Sequence, residues 1–152
     1  MKRRTSVKIV IGTLALVLLA LNVYADSVSA PERTQGLLAP AAQGDHQLVR
    51  LRGPGKFISA EISKQGGTND LTFVILDIDG KNVVNISIAA LKNLGLTSAN
   101  PYGLVLLQSP AGIKTLTIGF NSALEFKTEL ILKVKVSEPN VVQIVANVIH
   151  GH

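Results

Sequence analysis

One stretch limits the fold more than any other. Leu124, Phe126, Leu130, Leu132, Val134 and Val136, with Thr128 among them, take every second position, and Glu125, Lys127, Glu129, Lys133 and Lys135 fill the places between; Ile131 is the apolar exception. Successive side chains of a strand point to opposite faces, so this rhythm describes one antiparallel strand, or two joined by a bend, with one face in a core and the other wet. Charges on the wet face keep it solvated and guard against edge pairing.

The same punctuation recurs along the rest of the chain. His46 to Leu51, Lys56 to Lys64, Leu71 to Ile78, Val83 to Ser87, Gly103 to Gln108, Lys114 to Phe120 and Val141 to Ile149 read as strands separated by Gly-, Pro-, Asn- or Ser-rich turns. Leu71 to Ile78 is apolar on both faces and belongs inside a sheet, and Asp79-Gly80 suits a hairpin turn that needs positive φ. One segment departs from the pattern: Ile88, Leu91 and Leu94 are spaced by three, with Ser87 placed to cap a short helix and Gly95 to stop it. About eight strands at regular turn spacing predict an all-β fold, an antiparallel β-sandwich or jelly roll with one short helix; a small barrel is the alternative. Helices between strands, which a parallel α/β fold requires, are missing.

Lys2, Arg3, Arg4 and Lys8 precede an apolar run from Ile9 to Val23, and Val23-Tyr24-Ala25 offers a cleavage site. A basic start, a short apolar stretch and small residues describe a secretory signal peptide over residues 1–25, of bacterial appearance. The span is short for a membrane helix, so membrane contact is expected only during export. Arg3-Arg4 partly fits the twin-arginine pattern, but Ser6 and the Leu-rich run favour the general secretion route. Residues 26–45, small and Pro/Gly-rich without period, read as a flexible leader, which leaves 46–152 as the folded domain. The expected location is the periplasm or the exterior of the cell.

Removing that segment takes four of the 15 basic residues and leaves 11 against 10 acidic ones. No basic stripe remains to neutralise phosphates, which argues against nucleic acid as a partner. With no Cys in the chain, thiol chemistry is excluded and the core must stabilise the exported domain unaided.

Candidate sites are sparse. Asp77, Asp79 and Asn82 bracket the hairpin turn and supply oxygens of the kind calcium takes, although the turn alone explains Asp79-Gly80. His46, His150 and His152 open and close the domain and are candidate ligands for zinc or copper if the first and last strands lie together. Asn69 and Asp70, and Asn100 with Tyr102, occupy the two loops where a sandwich would present a binding face. Asn85-Ile86-Ser87 fits a glycosylation sequon, which carries little in a bacterial-looking chain. There is no Trp, and Phe57, Phe73, Phe120 and Phe126 fall in core positions by period, so Tyr102 is the one ring expected at the surface of the mature domain. No Gly-x-Ser-x-Gly or phosphate loop occurs, and histidines sit only near the two ends of the domain. The expectation is a non-catalytic module with a structural, adhesive or ligand-binding role and a protein or glycan partner at the cell surface, with no cofactor. The alternatives are a carbohydrate- or calcium-binding module and a small hydrolase without a recognisable motif.

Overall fold

The structure, a computed structural model, describes residues 30–152; the signal peptide read over 1–25 lies outside them. Nine strands form among the described residues: β1 (Glu32–Leu38), β2 (Gly44–Arg52), β3 (Gly55–Gly66), β4 (Thr72–Ile78), β5 (Lys81–Ser87), β6 (Leu104–Gln108), β7 (Lys114–Phe126), β8 (Glu129–Val136) and β9 (Val141–Gly151). A single helix, α1 (Ile88–Asn93), follows β5. It starts where the sequence predicts: the Ser87 hydroxyl accepts from the Ala90 N–H at 3.0 Å. Ile88 and Leu91 are buried, whereas Leu94, just past the last turn, is exposed. Gly95, at φ 67°, ends it.

The alternation over 124–136 resolves into two strands in different sheets. β7 belongs to a five-stranded sheet ordered β1-β9-β3-β7-β6, and β8 to a four-stranded one ordered β2-β8-β4-β5. The chain turns at Lys127 and Thr128, yet Phe126 and Leu130 both point between the sheets. The first half of the chain lies antiparallel along the second: β1 on β9, β2 on β8, β3 on β7. The β4–β5 hairpin closes the far end. This rolled-up hairpin is the jelly-roll plan, with β6 added beside β7. Both sheets keep free edges, so the barrel alternative is not adopted.

Residues 32–38, inside the segment read as a leader, form β1 and bond along their whole length to β9, and β2 already begins at Gly44. The segment lacks apolar alternation because the backbone ladder to β9 does most of the fastening, with Thr34 bonded to His150 and Leu38 packed on the core. Gly36 faces inward, where any Cβ would collide with the main-chain carbonyl of Leu48. A bulge in β2 between Gln47 and Val49 brings that carbonyl over β1.

A second bulge, between Phe57 and Ser59 in β3, explains a phase shift. Phe57 before it and Ala60, Ile62 and Lys64 after it all face the core. Ser59, Glu61 and Ser63 are left on the outer face. Phe57 and Phe126 are buried, and Phe120 packs against Phe57 with ring centroids 6.2 Å apart. Phe73, assigned to the core by period, instead stands half-buried on the outer face of β4, because Thr72, Val74 and Leu76 take the inward positions.

Candidate functional site

Asp70 and Asn69 belong to a buried ionic cluster at one end of the sandwich. Lys64, at the inner end of β3, reaches Glu138 at 2.6 Å and Asp70 at 3.0 Å, and all three residues are at most 5% exposed. Lys114 holds both oxygens of Asp70 at 2.6 and 2.8 Å, and Lys92 of α1 adds a bond at 3.2 Å. Glu138 also accepts from the Thr72 hydroxyl at 2.7 Å and from the backbone N–H of Asn69 and Asp70 at 3.1 and 3.0 Å. Gly67 is required beside them, since a Cβ there would strike the Glu138 carboxylate and come within 2.6 Å of Lys64 Nζ. Burial pushes the Asp70 carboxyl up, but Lys114, Lys64 and Lys92 outweigh it and bring it down to about 2. Glu138 is lowered in the same way, with Lys64 and Thr72 opposing its burial. Both acids stay ionised far below neutrality and are saturated by protein donors. That suits a clamp tying β3, α1, β7 and the turn before β9 together, and does not suit proton transfer near pH 7. Asn69 spends its backbone N–H on Glu138, and its side chain accepts from Leu71 N at 3.3 Å. Among the described residues Asp70 presents no free group, whereas the exposed Asn69 keeps its side-chain NH2 unpaired.

The proposed calcium ligands are engaged elsewhere. Asp79 binds the β7–β8 turn: its carboxylate accepts from the N–H groups of Lys127, Thr128 and Glu129 at 2.8, 2.8 and 3.1 Å, and from the Thr128 hydroxyl at 2.7 Å. Those donors hold its carboxyl well below the usual range. Asp77 pairs with Lys133 and accepts from Asn82 at 2.9 Å; burial pushes its carboxyl up, but these two partners keep it below the ordinary value.

The histidines are divided between opposite ends. His46 faces Val134, near the end of β8, and its Nε2 donates to the Ala42 carbonyl at 2.8 Å. His150 lies nine residues along β9 from Val141, the residue that follows the turn after β8, a run of about 30 Å. It is buried against Thr34 of β1, 2.9 Å away. First and last strands do pair, as anticipated, but the first is β1 and not the strand carrying His46. His152, at the terminus, lines a shallow cavity with Lys56, Glu125 and Phe126. Among the described residues no group of three or more His, Asp or Glu side chains is arranged to hold a metal ion.

Asn100 and Tyr102 lead to a different surface. The Asn100 amide donates to the carbonyls of Ser98 and Leu104 at 2.9 and 2.7 Å, and its oxygen accepts from Tyr102 N at 3.0 Å. Asn100 therefore braces its own loop. Tyr102 is 68% exposed, with its ring turned to solvent. Gly103, at φ 68°, sits so close to Gly119 that a Cβ would collide with its carbonyl. That contact holds the loop against β7 as the wall of a groove.

The groove occupies the outer face of the five-stranded sheet and has a volume of about 550 Å³. Its floor is a cross-strand row in which Asn147 of β9, Glu61 of β3, Thr117 of β7 and Val105 of β6 lie side by side. Arg33 of β1 stands at one side and Asn121 of β7 lies further along. At Gly119 a side chain would meet nothing within 4 Å, so the floor dips there. Among the described residues the side chains of Glu61 and Arg33 make no hydrogen bond or ion pair, and Asn147 Oδ1 is buried without a donor. The alternation of β3 places Glu61 outward, but only the register reveals its neighbours. A comparison with known protein families finds no match, and none of the curated proteins is significantly similar to the chain in sequence.

Proposed function

We propose that the domain is a non-catalytic binding module, exported to the periplasm or beyond, which takes up a small polar ligand on the outer face of its five-stranded sheet. The observation that carries this reading is the groove itself. Its volume falls within the range of small-molecule sites, and its floor holds a carboxylate and an amide oxygen with no partners. The aspartates of the two loops outside the groove are satisfied by contrast: three lysines surround Asp70, and Asp79 accepts four hydrogen bonds. A buried acceptor without a donor costs about 1–3 kcal/mol, and a ligand donor would offset that. The exposed Tyr102 ring near the wall supports a carbohydrate as the second reading, since sugars stack on aromatic faces.

Amide chemical-shift mapping of the isotope-labelled protein against a panel of neutral sugars, amino acids and short peptides tests the site. Binding is expected to move the signals of Ser59 to Glu61, Thr117 to Asn121 and Asn147 to Ile149. Shifts confined to the Gly66–Asp70 loop would place the ligand elsewhere, and a panel with no response would remove the proposal.

A further inference from the structure

We infer that the groove selects a zwitterion of peptide type, a free amino acid or short peptide, with Glu61 receiving its ammonium group and Arg33 its carboxylate. This rests on reading the outer face as the ligand surface and names the class of ligand.

The charge pattern is the first support. Arg33 and Glu61 are the only charged side chains lining the groove among the described residues, one of each sign, and neither has a partner. Some surface charges pair with each other, Arg50 with Glu129 at 2.6 Å and Lys133 with Asp77. Others, such as Asp45, Lys81 and Lys135, also have no side-chain partner among the described residues; what sets Arg33 and Glu61 apart is that they share one groove.

Geometry is the second. Arg33 stands opposite Ile149, which stands opposite Ser59, and Glu61 is two residues further along the strand. Two strand spacings sideways and two residues along put the backbones of Arg33 and Glu61 about 12 Å apart. Both side chains leave the same face, with Asn147 between them. That separation leaves room for a ligand carrying one charge at each end. An arginine guanidinium matches a carboxylate in a two-pronged arrangement, and a carboxylate accepts readily from an ammonium group.

Asn147 is the third. Its oxygen is covered as it stands and has no donor, and rotation of the side-chain amide would let it accept from a peptide N–H. A neutral sugar would cover Arg33 and Glu61 without neutralising either, and a ligand with a single charge would leave the other desolvated and unpaired.

The test uses the full chain and trialanine with free termini, titrated into the millimolar range and followed by amide chemical shifts. Three further ligands are compared: N-acetyl-trialanine, trialanine amide, and a neutral trisaccharide. Trialanine is expected to bind at the groove, with blocking of either terminus weakening it about tenfold or more. Glu61→Gln is expected to weaken trialanine to a similar extent and to make N-acetylation of no further consequence. Arg33→Gln should do the same for the carboxyl end. Because neither residue has a partner, both variants are expected to unfold at the wild-type midpoint.

Binding of trialanine that ignores both blocking groups would overturn the inference. So would binding of the neutral trisaccharide in place of trialanine, with shifts at Glu61, Thr117 and Asn147, but the outer face would then stand as the ligand surface. Silence from every ligand would overturn both.

Discussion

Replacing Glu138 by Gln removes one charge and almost no volume from a fully buried carboxylate. Its Oε1 accepts from Lys64 Nζ and Thr72 Oγ1, and its Oε2 from the N–H groups of Asn69 and Asp70. A glutamine amide has one oxygen. Whichever way it turns, its NH2 faces one pair of buried donors and deprives them of their acceptor. Each such orphan costs about 1–3 kcal/mol, and removing one member of a buried ion pair costs about 3–5 kcal/mol. Lys64 keeps Asp70 at 3.0 Å and the Thr72 hydroxyl can rotate, which places the expected loss in the lower half of that range. A loss of about 3–4 kcal/mol is large against the roughly 5–15 kcal/mol that hold a domain folded. For a domain of this size it corresponds to a fall in Tm of about 10–15 °C.

Urea unfolding of the full chain followed by far-ultraviolet circular dichroism measures it, since the chain has no Trp to report. Glu129→Gln is the control. Its pair with Arg50 is 41% and 29% exposed on its two sides, so about 0–1 kcal/mol is expected there. A loss below about 1 kcal/mol for Glu138→Gln, or equal losses for both variants, would refute the assignment of a buried clamp.

Two further outcomes follow from the same packing. Asp70 titrates at about 2 in the folded protein against 3.8 ordinarily, and Glu138 is lowered from 4.5. The unfolded chain therefore binds these protons first: their contribution is complete above about pH 4.5 and drains away as pH falls towards 2, with Asp70 alone accounting for about 2 kcal/mol. Urea midpoints that stay level from pH 5 to pH 2.5, as roughly spaced points across that window, would contradict it. Gly36→Ala sets a Cβ against the Leu48 main chain, which cannot rotate away, so a loss of about 2 kcal/mol or more is expected together with faster amide exchange in β1. Unchanged stability would mean that β1 is not seated as described.

The layered all-β fold was legible because alternation is a local signal. Leu130, Leu132, Val134 and Val136 declare their inward face within a few residues, and Ser87 and Gly95 mark the helix. Features that depend on distant partners were not legible. β1 has no rhythm of its own and is a strand because β9 and the Leu48 carbonyl accommodate it. The bulge at Ile58 shifts the phase of β3 without altering composition. Leu71 to Ile78 is apolar on both faces, so its period does not say which face is inward. The sheet buries Thr72, Val74 and Leu76 and leaves Phe73, expected in the core, on the outer face. The loops at 69–70 and 100–102 stand out in the sequence, but Asp70 and Asn100 spend their polar groups on the fold. A clue to the clamp was present: Lys64 follows Ala60 and Ile62 on the inward phase, and a lysine there needs a buried acid. Glu61 and Arg33 became neighbours only once β3, β9 and β1 were in register.

Two sets of charges divide the labour in this account, one locked inside the fold and one left spare on its surface. Thermal unfolding of Glu61→Gln tests that division most directly. A midpoint equal to that of the wild type, or above it, is the predicted result. A drop equivalent to about 2 kcal/mol or more would show that Glu61 anchors the fold and is not free to hold a ligand.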